Sequence, residues 1–227
     1  MQARDVMTTD IVTVGPDDTV ESVAEVLHER RISAAPVVSG DQLVGIVSEN
    51  DLLRSLAAGG SKRISLWSIL KDKTAEFTRT HGTRVRDVMT PQVLTVSEDA
   101  LLPDVAALLE SHHVKRVPVM RGDKLVGIVS RADLLRAMVA LSPTGARPAL
   151  KDDRALRARI LDALAADTTV SMSSVSVIVS NGLVYLWGIA ETDEDKNAIR
   201  VAAEGSAGAD KVRDFVSTLP SVLRGAL

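Results

Sequence analysis

Short β-branched apolar runs alternate with helix-like apolar stripes along this chain, and most of that pattern occurs twice. Ile11-Val12-Thr13-Val14 predicts a short strand. Asp18, followed three positions later by Glu21, has the form of a capping box. Behind it Val20, Val23, Ala24 and Leu27 fall on one helical face. Ala35-Pro36-Val37-Val38 reads as the next strand, its proline marking an edge or a strand start. Ser39-Gly40-Asp41 is turn chemistry, Leu43 to Val47 closes the hairpin, and a helix follows from about Asn50. The same order then returns. Val93 to Val96 is a strand, and Leu102, Val105, Ala106 and Leu109 form a helix face with Pro103 in the first turn. Val117-Pro118-Val119, the turn Arg121-Gly122-Asp123 and Leu125 to Val129 make a second hairpin. Each copy reads β-α-β-β-α.

Residues 4–54 align with 86–136 without a gap, and roughly half of the positions are identical, far above chance for so long a period. Both copies open Arg-Asp-Val-Met-Thr (Arg4 to Thr8, Arg86 to Thr90). Both close on Leu-Val-Gly-Ile-Val-Ser-x-x-Asp-Leu-Leu-Arg (Leu43 to Arg54, Leu125 to Arg136). The closing phrase runs a strand straight into a helix, with Ser48 and Asp51, or Ser130 and Asp133, at the junction. Between the copies Gly59-Gly60 breaks the chain, and Leu66, Trp67, Ile69, Leu70 and Phe77 predict an amphipathic connector helix. Pro143, Gly145 and Pro148 mark a linker. Beyond it Asp152 to Ala165 predicts a helix with Leu156, Ile160, Leu161 and Leu164 on one side. Val175 to Val179 and Leu183 to Ile189 are strands joined by Asn181-Gly182, a two-residue hairpin signal. A helix over Glu191 to Gly205 and a strand over Val212 to Val216 complete an α-β-β-α-β module. The pattern divides the chain into a first copy (1–57), a helical connector (58–85), a second copy (86–141), a linker (142–151) and a third domain (152–224).

Composition narrows the functional classes. The chain has 227 residues, 45% hydrophobic and 25% charged, but only 2% aromatic, so its cores must be built from Val, Leu, Ile and Ala. Cysteine is absent, which excludes disulfides and thiolate metal sites and fits a reducing compartment. The first residues lack the apolar core of a secretory signal, and no run of apolar residues is long enough to span a bilayer. These features predict a cytoplasmic protein. A net charge of −3 and a pI near 5.8 argue against general nucleic-acid binding. From Asp152 onward acidic residues outnumber basic ones, so attraction to anionic lipid is not expected.

Ser48/Asp51 and Ser130/Asp133 admit two readings. Ser-x-x-Asp at a helix start is a capping arrangement. The same carboxylate has two oxygens, which suit the vicinal hydroxyls of a ribose, while the Ser hydroxyl and the helix N-terminus favour ribose or phosphate oxygens. His112-His113-Val114-Lys115-Arg116 is either a solvated basic loop or a phosphate site in which Lys115, Arg116 and His113 supply charge. The first copy has Ile32-Ser33-Ala34 where the second has Val114-Lys115-Arg116, although Arg30 and Arg31 lie nearby. Adjacent histidines are poor geometry for one ion, so no metal site is expected. Asp5 and Asp87 read as a structural cap or salt bridge. No catalytic constellation emerges, and no catalytic residue is assigned.

The paired Asp-Val-Met-Thr openings, the Pro-Val strands and the Gly-Ile-Val-Ser-x-x-Asp endings resemble a tandem pair of CBS domains. Val175 to Gly188, with the helix that follows, resembles a BON domain. The resemblance implies an α+β fold in which two CBS repeats pack through their sheets as a pseudo-two-fold pair, followed by a small BON domain. It implies adenosyl ligands: AMP, ADP or ATP, with S-adenosylmethionine and NAD as further members of the class, and no resident cofactor. By position, Asp51 and Asp133 would hold ribose, and Ser48 and Ser130 would touch ribose or phosphate. Thr13, Val14, Val37, Thr95, Val96, Val117, Pro118 and Val119 would line the adenine pockets. Lys115 and Arg116 match phosphate positions, from which Ser33 and Ala34 depart. Family members commonly form homodimers, and BON domains resemble envelope modules that contact phospholipid. The resulting expectation is a non-enzymatic adenine-nucleotide sensor acting on a protein partner that the sequence does not name. The alternatives are a structural adaptor, or a peripheral membrane protein acting through its BON domain.

Overall fold

A computed structural model describes residues 1–59, 83–141, 151–166 and 175–218. The predicted connector helix at Leu66 to Phe77 and the linker residues Pro143, Gly145 and Pro148 lie outside them. The architecture is mixed α+β, and the chain divides into two compact units. One comprises Ile11–Leu94 with Gly122–Leu125; the other comprises Met1–Asp10, Thr95–Arg121 and Val126–Leu227.

In the first of these, α1 (Val20–Glu29) leads to an antiparallel hairpin of β1 (Ala34–Ser39) and β2 (Gln42–Ser48), then to α2 (Glu49–Gly59) and the single turn α3 (Val85–Val88). The strand expected at Ile11 to Val14 contracts to one parallel bridge between Val14 and Val37. Gly15-Pro16 ends the run at once, and Val14 alone of the four is buried. The helix cap also moves. Thr19 Oγ accepts the Ser22 N–H at 3.1 Å, while Asp18 turns back to accept the Gly15 N–H at 2.7 Å. Glu21 is exposed and forms no capping box. On α1, Val23 and Leu27 are buried with Val20 and Val26 packed against them, and Ala24 faces solvent. The face rotates toward Val26 because an isopropyl group removes more apolar surface from water than a methyl group does.

The second copy repeats this plan with β3 (Val96–Ser97), α4 (Leu102–Ser111), β4 (Arg116–Arg121), β5 (Lys124–Ser130) and α5 (Arg131–Leu141). The sheet order is β3-β4-β5, and β3 runs parallel to β4. The strand expected at Val93 to Val96 thus begins only at its last residue. On α4, Ala106 is exposed and Leu108 half-buried, matching Ala24 and Val26.

The opening phrases change places. Ala3 and Arg4 N–H groups donate to Ala100 and Glu98 carbonyls, Arg4 pairs with Asp99, and Thr8 exchanges two backbone bonds with Ile128. In the other unit Val85 and Arg86 donate to Asp18 and Pro16, Arg86 pairs with Asp17, and Thr90 exchanges with Ile46. Each opening phrase therefore completes the unit that carries the other copy's closing strand. Met7 lies over Gly127 and Met89 over Gly45, so close that a Cβ at either glycine would collide with the methionine side chain. The recurrence of Met in one phrase and Gly in the other has this packing as its cause.

The third domain consists of α6 (Lys151–Ala165), β6 (Val175–Ser180), β7 (Leu183–Ala190), α7 (Asp193–Ala207) and β8 (Val212–Thr218). The sheet order is β6-β7-β8, antiparallel then parallel, with α7 as the crossover. Asn181 and Gly182 have φ of 54° and 75°, as a two-residue hairpin turn of the primed type requires. Asp153, near the start of α6, accepts both of their N–H groups at 2.9 and 2.7 Å. The helix expected from Glu191 starts at Asp193, because Thr192 and Asp195 form the capping box there. Leu156, Ile160, Leu164, Val177, Val179, Val184, Leu186, Ile199 and Val216 build the core. Trp187 stacks on its register partner Phe215 with ring centroids 4.1 Å apart. All six residues of β6 are buried. Val175, Val177 and Val179 face the domain's own core, and α5 of the second copy packs against the strand.

Candidate functional site

The β-to-α junctions form from local chemistry. In each, the Asp at the third helical position reaches back to the residue that precedes the helix. Asp51 Oδ2 accepts the Ser48 N–H at 2.9 Å and the Ser48 hydroxyl at 2.6 Å. Asp133 Oδ2 accepts the Ser130 N–H at 2.8 Å and its hydroxyl at 2.7 Å. The capping reading is thus realised in both copies. In each copy a single carboxylate oxygen makes both cap bonds. Both carboxylates are buried, Asp51 at 9% exposure and Asp133 at 4%.

The two junctions then diverge. Arg136 donates to Asp133 Oδ1 at 2.9 Å, whereas Arg54 makes no such bond to Asp51 among the described residues. Arg131, at the head of α5, donates through Nε to the Val114 carbonyl and through Nη2 to the Leu109 carbonyl, both at 3.1 Å. Its N–H donates to the Lys115 carbonyl at 3.0 Å. These bonds bring the basic segment at the start of β4 to the head of α5. In the first copy the equivalent bond runs from the Glu49 N–H to the Ser33 carbonyl at 3.1 Å, with no cation at either place. The second-copy junction thus carries Lys115, Arg116, Arg131 and Arg136 on the segments that meet there, where the first copy offers Ser33, Ala34, Glu49 and Arg54.

His113 is held at φ 53° just past the end of α4, its N–H donating to the Glu110 carbonyl while the Val114 N–H reaches Leu109. This is a helix-terminating left-handed turn, which usually takes glycine. Its ring is exposed, as is the Lys115 side chain, while Arg116 is half-buried. Val96 pairs with Val119 across β3 and β4, next to exposed Thr95; Val117, Pro118 and Val119 are buried. In the other unit Val14 bridges Val37 beside exposed Thr13. Asp5, read as a cap or salt bridge, is both: it accepts the Gln2 N–H at 2.7 Å and pairs with Arg154 at 2.7 Å. Among the described residues no cluster of three His, Asp or Glu could hold a metal ion.

Sequence reasoning missed four arginines: Arg131, Arg136, Arg154 and Arg157. Arg136 carried a signal, because it recurs with Arg54 in the duplicated phrase. The others lie where the copies differ or outside them, and only packing gives them roles.

Comparison with known proteins identifies the scaffold. The family model of the CBS domain matches residues 3–58 and 85–140, and that of the BON domain matches residues 152–220. The chain belongs to the CBS domain family, with a CBS pair followed by a BON domain. It is 36% identical over 151 residues to the chloroplastic CBS domain-containing protein CBSX1 of Arabidopsis thaliana, covering 62% of this chain and 64% of that protein. It thus spans a little under two thirds of that relative's length. Hypoxic response protein 1 of Mycobacterium tuberculosis is 32% identical over 136 residues, covering 59% of this chain and 82% of the relative. The crystal structure of CBSX2 in complex with AMP matches with a TM-score of 0.55 at 31% identity, over 63% of this chain and 99% of that one. These alignments are of a length to take in the CBS pair alone.

Proposed function

We propose that the CBS pair is a non-catalytic regulatory module that binds an adenine nucleotide at the second-copy site. The observation that carries this reading is the meeting of opposite chemistries at one junction. A buried carboxylate, Asp133, is bonded by Arg136, and the bond from the Arg131 N–H to the Lys115 carbonyl ties the cationic Lys115-Arg116 segment to the head of the helix that carries Asp133. Asp133 and Ser130 would take the ribose; Lys115, Arg116 and His113 would take phosphate. Thr95, Val96, Val117, Pro118 and Val119 would bound the adenine. AMP in the CBSX2 complex supports the ligand class. Ser48, Asp51, Thr13, Val14 and Val37 form the corresponding first-copy set, and its lack of cations at Ser33 and Ala34 favours a ligand without phosphate there. In the same reading the protein works in the cytoplasm as a homodimer, and exposed Leu53 on α2 and Leu135 and Met138 on α5 support such pairing. No helix among the described residues is long and apolar enough to cross a membrane. The acidic balance of the BON domain and the burial of every β6 residue weigh against phospholipid as its partner.

A second reading, a structural adaptor, is favoured by one contact: Arg136 already satisfies Asp133 Oδ1. Thermal unfolding against AMP, ADP, ATP, NAD, S-adenosylmethionine and adenosine separates the two. At a ligand concentration about a hundredfold above Kd, linkage contributes about 2.7 kcal/mol. The sensor reading expects Tm to rise by several degrees with a phosphorylated ligand, and the rise to vanish in Asp133→Ala but persist in Asp51→Ala. No rise with any of the six, in protein free of co-purified nucleotide, selects the adaptor.

A further inference from the structure

We propose that Arg157 of the BON domain is a positioning residue for the Ser130/Asp133 site, so that docking of the BON domain and occupancy of that site are coupled. The proposal deepens the sensor reading and rests on it.

The Arg157 side chain is buried, with 9% exposure. Its Nε donates to the Val177 carbonyl of β6 at 2.8 Å, Nη2 to the Met7 carbonyl at 2.7 Å and Nη1 to the Arg4 carbonyl at 3.3 Å. All three acceptors are backbone, and among the described residues no carboxylate pairs with the guanidinium. Burial pushes its pKa down to about 10, opposed at longer range by the carboxylates of Asp5 and of Asp133, the site residue itself. One turn earlier on α6, Arg154 grips the same segment through Asp5 at 2.7 Å and Gln2 Oε1 at 2.8 Å.

The contacts close a ring. Arg157 holds the Met7 carbonyl, and the Met7 side chain lies over Gly127 of β5. Thr8 exchanges backbone bonds with Ile128, and β5 ends at Ser130. Asp133 stands in the first turn of α5, and α5 packs on β6, whose Val177 carbonyl returns to Arg157. Both elements that make the site are therefore braced by segments that Arg157 joins. A ligand that shifts the head of α5 must shift or strain this ring. By linkage, breaking the ring must change ligand affinity by the same factor that occupancy changes docking.

The test uses the full chain, with Arg157→Met to keep the stem and remove charge and donors, Arg154→Gln as a milder break at the rim, and exposed Arg159→Met as control. AMP affinity is measured by titration calorimetry, and docking by amide exchange in β6 and residues 2–8. The proposal expects faster exchange in both segments and an AMP affinity changed at least about threefold for Arg157→Met, a smaller change in the same sense for Arg154→Gln, and neither for the control. Faster exchange with AMP affinity unchanged would overturn it. If the parent chain binds no adenosyl ligand, the sensor reading fails first, and Asp133→Asn decides the coupling alone. Accelerated β6 exchange in that variant would uphold the link between Asp133 and the docked domain; unaltered exchange would sink it.

Discussion

At the scale of single residues, the two copies differ by the charges set on a shared frame. Glu98 and Arg121 stand where the first copy has Pro16 and Ser39. The Arg121 fork donates to both Glu98 oxygens at 2.6 and 2.8 Å. That hydrogen bonding, helped by the Arg121 and Arg4 charges and opposed by desolvation, holds the Glu98 carboxyl below its ordinary value of 4.5. A carboxylate whose pKa is lowered by folding contributes stability above its unfolded value and loses it as pH falls through the folded one. The second-copy sheet should therefore lose amide protection on acidification below about pH 4.5. In Glu98→Gln the protection should be lower at neutral pH, and the gap to the parent should close in acid. A gap that persists in acid would mean that the pair contributes through packing, not charge. His113 tells a related story, since a left-handed residue past α4 is usually glycine, and the conformation is held by two helix-terminating bonds.

At the scale of elements, the duplicated phrases are two halves of one joint. Glycine in the closing strand makes room for methionine in the opening turn, so neither phrase explains itself alone. Gly127→Ala should destabilise the unit by about 1–3 kcal/mol, because the new methyl group meets Met7. Adding Met7→Ala should recover part of that loss, since the two groups compete for one volume. Strict additivity of the two changes in urea midpoints would count against the joint. The opening segment of the other copy meets the chain just past β3, where the Ala3 and Arg4 N–H groups donate to the Ala100 and Glu98 carbonyls, and meets β5 through Thr8 and Ile128.

At the scale of the whole molecule, the sequence repeat and the compact unit are different objects. Met1–Asp10 begins the first copy by sequence but belongs to the unit that holds the second copy and the BON domain. Removing residues 1–10 should therefore strip amide protection from Ile128, from Leu102 and from the α6–β6 region, where Arg154 would lose its bonds to Gln2 and Asp5 and Arg157 two of its three carbonyls. Protection across β1 and β2 should survive. Loss in β1 and β2 instead would show that the opening phrase serves its own copy.

The duplication, the order of the main elements, the α-β-β-α-β plan of the third domain and the Ser-x-x-Asp junctions are all legible along the chain. These are local matters: periodicity, turn chemistry and capping act within a few residues, so they can be read along the chain. The errors of that reading were local too. Asp18 was as good a cap as Thr19 until the Gly15 N–H competed for it, and Ala24 fitted the helical stripe until Val26 offered more surface to bury. The features that emerge only on folding depend on groups far apart in the chain. The exchange of opening phrases, the seating of Met7 on Gly127 and the burial of Arg157 among carbonyls from two domains leave no periodic trace. The engagement of Asp133 by Arg136, without an equivalent at Asp51 among the described residues, arises within an Asp-Leu-Leu-Arg phrase that both copies share. A buried guanidinium is stable only where several backbone carbonyls converge on it, and that convergence exists only once the chain has folded.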